Sequence, residues 1–426
     1  MKRISLFLLL FLLLKATAVY SQGGDPEANL RIVPISPNAA SLGTYGLIPT
    51  DNYVGQANLT IPIYEIDLDG KKFPIALSYH TDGTRVAQEA TWAGLGWTLQ
   101  AGGCVIRQVQ DMDDFTARGC YNLTDAPWLT NPRFEVTDQN MERYMGYFRG
   151  DYDAEPDMFY FNAGGHSGSM FFNVLKNNRQ TNAVPTIQTQ EEVVKMVYNT
   201  SSNVWTMTDL EGYVYSFSKK ETTYYFLNTI EFFQPDITRS HIFPYNKEPQ
   251  VVTAWMLDSV TSPNGGTILF DYKKETIFTP ISTTEDVISL SEVVAGEITS
   301  QSPQYFKNKF NYNYTYSKIE QWTLSKISFE GGTVEFNTTD REDIESAESG
   351  KKVQKLSSIK VSDAAGNVIK TTMLEYKYLL SGAATTTNGY DDRLLLSKVY
   401  DVAGSKKSNV YTCLLYTSPS PRDPKT

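Results

Sequence analysis

The sequence contains only three cysteines and three histidines among its 426 residues. None of these six residues falls in a zinc-ligand spacing such as Cys-x-x-Cys or His-Glu-x-x-His, so the sequence predicts no metal site. The low cysteine content also excludes a small scaffold held together by many disulfides. Two alternatives remain for Cys104 and Cys120. They form a disulfide that closes a short loop, or they are two small buried apolar residues.

The chain also lacks an excess of positive charge. Its 38 Lys and Arg residues against 48 Asp and Glu residues give a formal net charge of −10. Residues 1–21 carry Lys2, Arg3 and Lys15 and no acid, so the net charge without that segment is −13. A nucleic-acid-binding protein normally carries a basic patch, and the sequence therefore predicts no nucleic-acid partner.

Long apolar runs are missing beyond the N-terminus. The apolar stretch at residues 4–14 follows a basic start and is shorter than the roughly 20 residues of a membrane-spanning helix. This pattern is typical of a secretory signal peptide, predicted at residues 1–21, and a poorly anchored N-terminal membrane helix is the alternative. We expect the remaining chain to be exported to the extracellular space, the cell surface or the periplasm, with no membrane span.

Aromatic and β-branched residues are abundant. The chain contains 27 Tyr and 21 Phe, and these alternate with polar residues between turns rich in Gly, Asn and Asp. The pattern predicts a mostly β fold of antiparallel sheets or a sandwich built from hairpins. Apolar residues at helical spacing predict one helix at about residues 137–148, and a second short helix is expected near Glu89.

One hairpin pattern recurs four times in the second half of the chain. Each copy has Leu-x-x-Ile or Leu-x-x-Val, a glycine-containing turn and then alternating apolar residues, which predicts two antiparallel strands. The copies begin at Leu257, Leu324, Leu356 and Leu396, and the fourth is expected to break off near Cys413. Two earlier hairpins are predicted to turn at Asp69-Gly70 and at Glu211-Gly212.

Two kinds of segment are superficially similar to functional motifs. In Gly165-His166-Ser167-Gly168-Ser169 the second glycine comes one residue too early for a nucleophile elbow, so a hairpin turn is predicted there. Carboxylates cluster at Asp111, Asp113 and Asp114, and again at Asp151, Asp153, Glu155 and Asp157. Such clusters suit Ca²⁺, but they lack the glycine and terminal glutamate of an EF-hand loop, so solvated acidic loops are predicted. We therefore predict no catalytic, cofactor-binding or metal-binding residues.

The densest apolar block is Trp92-Ala93-Gly94-Leu95-Gly96-Trp97, which we call the double-Trp block. Its two glycines permit a close backbone approach, and each indole offers a large apolar surface. The block is therefore predicted to be a packing core within an N-terminal β-rich domain at residues 22–175. A region of repeated hairpins is predicted to follow at residues 176–412.

Several segments around this block resemble the N-terminal region of the large Rhs/YD-repeat proteins of Bacteroidetes-type bacteria. The segments are residues 57–63, 75–80, 92–97, 101–103 and 156–161. The resemblance extends over nearly the whole chain after the signal peptide. It implies a non-enzymatic β-rich scaffold, followed in the family by repeats that form a hollow shell around a C-terminal domain, often a toxin. It also implies partners, namely the downstream repeats of the same chain and a C-terminal effector domain or another cell-envelope protein.

The C-terminal end has a different character. Pro419 and Pro421 cannot continue a central strand, and residues 413–426 resemble a translated sequencing adaptor. We expect this tail to be non-native and the natural chain to continue. The alternative functional hypotheses are an exported carbohydrate-binding or carbohydrate-degrading β-protein and an adhesin. Buried tryptophans would favour the scaffold, whereas a row of exposed ones would favour a sugar-binding groove.

Overall fold

The structure is a computed structural model in which part of the chain is described. The described residues are 33–47, 57–81, 89–110, 112–122, 141–148, 151–153, 155–173, 182–188, 194–233, 241–244, 250–279, 282–289, 308–379, 392–403 and 406–412. The fold of these residues is mostly β, as predicted, with antiparallel pairing and two short helices, α1 (Pro37–Leu47) and α2 (Met141–Phe148). The predicted signal peptide and the predicted adaptor-like tail lie outside the described residues.

The strands follow one another in short hairpins. The first ten are β1 (Ala57–Leu68), β2 (Lys71–Thr81), β3 (Trp97–Gln100), β4 (Gly103–Gln108), β5 (Met158–Ala163), β6 (His166–Phe171), β7 (Asn182–Ala183), β8 (Thr186–Ile187), β9 (Lys195–Asn199) and β10 (Val204–Thr208). The remaining ones are β11 (Val214–Phe233), β12 (His241–Pro244), β13 (Gln250–Thr261), β14 (Thr267–Phe278), β15 (Ser282–Ser289), β16 (Asn308–Phe329), β17 (Gly332–Asp340), β18 (Gln354–Asp363), β19 (Val368–Leu379), β20 (Arg393–Ala403) and β21 (Lys406–Thr412).

The chain packs into two units, each made of segments that are separated in the sequence. The larger unit comprises residues 34–107, 159–170 and 180–426, and the smaller unit comprises residues 1–33, 108–158 and 171–179. The larger unit thus contains both the double-Trp block and the repeated hairpins. The predicted boundaries at residues 21, 175 and 412 stay predictions.

A three-stranded sheet, in the order β1-β2-β3, follows α1 in the larger unit. The turn between β1 and β2 lies at Asp69 and Gly70, as predicted, and both residues have positive φ angles of 50° and 96°. A two-residue turn with this geometry matches the twist of antiparallel strands, and Asp-Gly is a favoured sequence for it. One face of β1 is buried through Ile61, Ile63 and Ile66, which pack in the core.

The second sheet contains all the repeated hairpins. The first three predicted copies form β13–β14, β16–β17 and β18–β19, and the earlier hairpin with the turn at Glu211-Gly212 forms β10–β11. The fourth copy forms β20–β21, which pair as far as Lys398 opposite Thr412, and the break predicted near Cys413 lies outside the described residues. Two long strands organise the sheet, since β11 pairs with β13 over its first half and with β16 over its second half.

The helices differ in part from the predictions. Helix α2 confirms the prediction over Met141–Phe148, and residues 137–140 lie outside the described part. The prediction of a short helix near Glu89 is wrong, because residues 91–96 form tight turns with positive φ at Gly94 and Gly96. Helix α1 was not predicted. Among the described residues, neither helix has the length and apolar character needed to cross a membrane.

The two described cysteines are free thiols, and both are buried. This is the second of the two alternatives for Cys104 and Cys120, that of small apolar residues in a core. Burial raises the pKa of each thiol above its ordinary value, with nearby carboxylates adding to the effect. The thiolate form, which is the reactive one, is therefore disfavoured at both positions.

Candidate functional site

The double-Trp block is a tight turn built into the core, as the sequence predicts. Trp92 and Trp97 are 7% and 3% exposed. The side-chain oxygen of Thr91 holds the turn together, because it donates to the carbonyl of Trp97 at 2.6 Å and accepts from the amide of Ala93 at 3.1 Å. The Thr91 side chain thus satisfies part of the polar backbone of this apolar segment, which favours its burial.

The same turn joins three distant elements of the larger unit. The Leu95 amide donates to the Leu394 carbonyl of β20 at 2.8 Å. The Trp92 carbonyl accepts from the Leu356 amide of β18 at 2.9 Å, and the Trp92 amide donates to the Asn38 side chain of α1 at 2.9 Å. One six-residue segment therefore connects the first helix with the third and fourth repeated hairpins.

A buried ion pair contacts the segment that leads into the double-Trp block. Arg341 and Asp343 are 3% and 5% exposed, and their side chains form two hydrogen bonds of 2.7 Å, one from Nε and one from Nη2. The same guanidinium donates to the carbonyls of Ala90 and Thr91 at 3.2 Å. Asp343 in turn accepts the Leu394 amide at 3.1 Å. The pair therefore fixes the segment that leads into the block relative to β20.

A second polar cluster gathers the turns of several hairpins around Asp209. The Lys71 ammonium lies 2.5 Å from the Asp209 carboxylate and 3.1 Å from that of Glu211. The Tyr215 hydroxyl donates to Asp209 at 3.1 Å, and the His166 Nε2 atom lies 3.7 Å from it. The Asp209 side chain is 1% exposed and that of Lys71 is 14% exposed. This Asp209 cluster joins the β1–β2, β5–β6 and β10–β11 hairpins.

The electrostatics of the Asp209 cluster favour an ion pair. Burial opposes the charge on Lys71, but its hydrogen bonds with Asp209 and Glu211 prevail and raise its pKa above the ordinary value. Burial likewise opposes the charge on Asp209, but Lys71 and the amide of Tyr213 hold the pKa of that carboxyl below its usual range. Burial raises the pKa of Tyr215. An acid–base catalyst needs a pKa near the working pH, and the shifts of Lys71 and Asp209 run away from neutrality.

Replacing Lys71 with methionine should lower the free energy of unfolding by about 2 kcal/mol, because it leaves the Asp209 carboxylate buried without its cation. The measurement is urea denaturation at pH 7, followed by tryptophan fluorescence. Lys72→Met is the matched control, since Lys72 is half exposed and its pairs with Asp67 and Glu65 lie at the surface. We expect no measurable change there. Equal losses in both variants would contradict a structural role for the Lys71 ion pair.

Three of the clustered carboxylates are buried in the smaller unit. Asp114, Asp153 and Asp157 are each 0% exposed, so the prediction of solvated acidic loops is wrong for them. The Asp114 and Asp157 carboxylates each accept the backbone amide of the other residue, at 3.0 and 3.1 Å, and Asp157 also accepts the amide of Gln110 at 2.7 Å. Their role is to satisfy buried backbone amides in irregular loops. Asp111 lies outside the described residues.

No group of three or more His, Cys, Asp and Glu side chains in the described part of the chain is arranged to hold a metal ion. The glycine-rich segment that begins at Gly165 is a hairpin turn, as predicted. Gly164 and Gly165 connect β5 and β6, and β6 continues as a strand rather than a helix. His80 lies on β2, and its side chain lies outside the described part.

The exposure of the tryptophan side chains distinguishes the buried arrangement expected of a scaffold from the exposed row expected of a sugar-binding groove. Trp92, Trp97, Trp205 and Trp255 are all 7% exposed or less. Trp322 is partly buried, and its indole N–H donates to the carbonyl of Lys220 at 2.6 Å. Trp128 lies outside the described residues. The described indoles therefore pack in or against the core, and they do not form the exposed row that a sugar-binding groove would need.

No protein-family model matches the chain, and no curated protein sequence matches it. Among solved structures, the N-terminal domain of the effector protein SpvB from Salmonella typhimurium strain LT2 matches with 11% identity and a TM-score of 0.38. The match covers 82% of this chain and 99% of that one.

Tc toxin structures also match. The crystal structure of TcdB2-TccC3-Cdc42 has 11% identity and a TM-score of 0.40, and the match covers 84% of this chain and 15% of that one. The Photorhabdus luminescens Tc holotoxin pore has 10% identity and a TM-score of 0.37, with 89% of this chain and 16% of that one covered. The chain thus spans about 15% of the length of the Tc toxin chains that it matches. Its structural neighbours are Tc toxin components and the N-terminal domain of SpvB.

Proposed function

We propose that this chain is a non-enzymatic scaffold segment of a larger exported protein, in which N-terminal elements tie repeated hairpins into one sheet. The observation that carries the proposal is the double-Trp block, whose backbone hydrogen-bonds to α1, β18 and β20 at once. A catalytic or binding segment would keep such polar groups available for a ligand. In this segment the polar groups are used to hold distant parts of the same chain together.

The polar clusters of the larger unit support the same function. The side chains of Arg341 and Asp343 form hydrogen bonds with backbone groups and with each other. Lys71 and Asp209 bridge separate hairpins. The sugar-binding alternative would gain support from exposed indoles, and the described tryptophans supply no row of them. The resemblance of the sequence to Rhs/YD-repeat proteins points in the same direction.

The partner we propose is the continuation of the same chain, which would pair with β21. All seven residues of β21 are exposed, and β21 pairs with β20 from Lys398 opposite Thr412 to Ala403 opposite Lys406. Val410 and Tyr411 are 55% and 42% exposed on this strand. An exposed edge strand with apolar side chains invites pairing with another strand. Downstream repeats would cover it, and a toxin-delivery shell enclosing a C-terminal effector is the form of scaffold that we propose.

Long-read resequencing of the gene across codon 412 tests this proposal. An open frame that continues into further hairpin repeats would identify the chain as the leader of a larger protein. The longer product should then protect from hydrogen exchange the β21 amides that face away from β20, whereas the present chain should leave those amides unprotected. A confirmed stop after Thr426, combined with specific binding of the purified chain to a glycan array, would overturn the scaffold function in favour of a free-standing binding protein.

A further inference from the structure

Glu221 is a buried carboxyl group that forms no ion pair among the described residues. Its side chain lies on β11 and is 0% exposed. The position is a junction in the sheet, because Glu221 pairs with Ala254 of β13 and the next residue, Thr222, pairs with Glu320 of β16. An ionised carboxylate in such a place costs free energy unless a cation or several hydrogen bonds compensate for the lost hydration.

The hydrogen bonds to Glu221 come mainly from the segment that precedes α1. The Ser36 amide donates to Oε1 at 2.8 Å, and the Ser36 hydroxyl lies 2.6 Å from Oε2. The Thr253 hydroxyl on β13 lies 3.4 Å from Oε1. Both oxygens of one carboxyl group therefore hold a single residue, Ser36, against the sheet.

Ser36 is also the residue that begins α1. Its hydroxyl accepts the amide of Ala39 at 3.2 Å, and its carbonyl accepts that of Ala40 at 2.9 Å, which is N-cap geometry. A second hydrogen bond, from the Thr223 hydroxyl to the Pro34 carbonyl at 2.9 Å, holds the chain two residues earlier. The Ser36 side chain thus takes part both in the attachment of residues 34–36 to β11 and in the N-cap of α1.

The surroundings of Glu221 offer few titratable groups. Ser36 and Thr253 do not titrate, and Cys104 on β4 is a neutral thiol whose pKa burial and Glu221 both raise. Neither Lys, Arg nor His is among the groups that influence the carboxyl in the described structure. Burial therefore raises the pKa of Glu221 to about 7, and the hydrogen bonds from Ser36 and Thr253 offset only part of that rise.

We propose that Glu221 and Ser36 form a proton-controlled latch, which holds residues 34–36 and the start of α1 firmly on β11 when the carboxyl is protonated and loosely once it ionises. A released carboxyl has its ordinary pKa of about 4.5, below that of the latched one. The latched state therefore binds the proton more tightly, so its stability is complete below pH 4.5 and declines as the pH rises through 7. The device does not depend on the scaffold function proposed above.

Hydrogen exchange of the Ala39 and Ala40 amides tests the latch directly. After correction for the intrinsic effect of pH on exchange, their protection should fall about 30-fold between pH 5.5 and 8.5, given the two pKa values. Protection that stays constant over this range would overturn the proposal. The whole chain is used, and amides of β18 serve as an internal reference for global stability.

Two variants separate the latch from a general effect of pH. Glu221→Gln should make the protection independent of pH, because an amide does not titrate. Glu275→Gln is the matched control, since Glu275 on β14 is partly buried with a raised pKa, and its hydrogen bonds are with Gln321 and Thr323. It should keep the 30-fold fall. Loss of the pH effect in Glu275→Gln, or its persistence in Glu221→Gln, would overturn the latch.

A milder variant guards against failure of Glu221→Gln to fold. Ser36→Ala removes a hydroxyl that lowers the pKa of Glu221, while the backbone amide of residue 36 remains. The Ala40 amide keeps its acceptor in this variant, because it bonds to the backbone carbonyl of residue 36, and the fall in its protection should move to a higher pH than in the natural chain. An unchanged midpoint would show that Ser36 does not hold the carboxyl, and the proposal would fail.

Discussion

Replacing Gly94 with valine will abolish cooperative folding of the larger unit. A Cβ atom at this position would lie 2.9 Å from the backbone nitrogen of Leu396 and 3.3 Å from its Cβ, and the φ angle of +108° is one that L side chains rarely adopt. The backbone cannot shift freely, because the neighbouring Leu95 amide is hydrogen-bonded to Leu394. Strain and overpacking together should cost more than about 4 kcal/mol, a large part of the 5–15 kcal/mol of a typical domain.

The measurement is soluble yield together with a urea transition followed by tryptophan fluorescence. Gly366→Ala is the control for backbone strain alone, because Gly366 has a φ angle of +85° and a Cβ there would meet nothing within 4 Å. It should cost about 1–2 kcal/mol and keep a cooperative transition. A soluble Gly94→Val protein with a cooperative transition near that of the natural chain would mean that the double-Trp block lies outside the core.

The hairpins could be predicted from the sequence because their signals are local. Asp69-Gly70 is a favoured pair for the turn that matches strand twist, and the two residues adopt the positive φ angles that such a turn needs. The alternation of apolar residues then fixes which face is buried, as Ile268 and Phe270 show on β14. Turn chemistry and alternation act within about ten residues, so no tertiary information was needed.

The sequence contains a start signal for helix α1, but some of the residues that follow it have low helix propensity. Ser36-Pro37 is a favoured start, with the N-cap oxygen on serine and proline in the first helical position. The following residues include Gly43 and Gly46, which disfavour a helix. Tertiary contacts compensate for this cost, because Ala39 is buried against Cys104 and Met256. A helix that depends on packing in this way is hard to predict from propensity alone.

The candidate site could be predicted only in its apolar half. The composition of the double-Trp block indicates a packing core, but nothing in the sequence near residue 341 indicates that its guanidinium reaches the carbonyls of Ala90 and Thr91. The buried carboxylates of the smaller unit present the same difficulty, since an aspartate that accepts distant backbone amides resembles a solvated one in sequence. Buried polar contacts between distant segments leave no local pattern, and they are the contacts that bind this fold together.

Replacing Arg341 with methionine should destabilise the chain by about 3–5 kcal/mol, second only to Gly94→Val. The change leaves the Asp343 carboxylate buried at 5% exposure without its cation and removes the donors to two buried carbonyls. The loss is measured as the shift of the urea midpoint at pH 7. Glu342→Gln is the control one residue away, because its pair with Lys352 at 3.5 Å is exposed on both sides, and it should leave the midpoint unchanged.

A second substitution identifies the cause of the loss in Arg341→Met. Adding Asp343→Asn should recover part of that loss at pH 7, because no buried charge is then left uncompensated. A loss that Asp343→Asn leaves unchanged would mean that packing, rather than the ion pair, holds the double-Trp block in place.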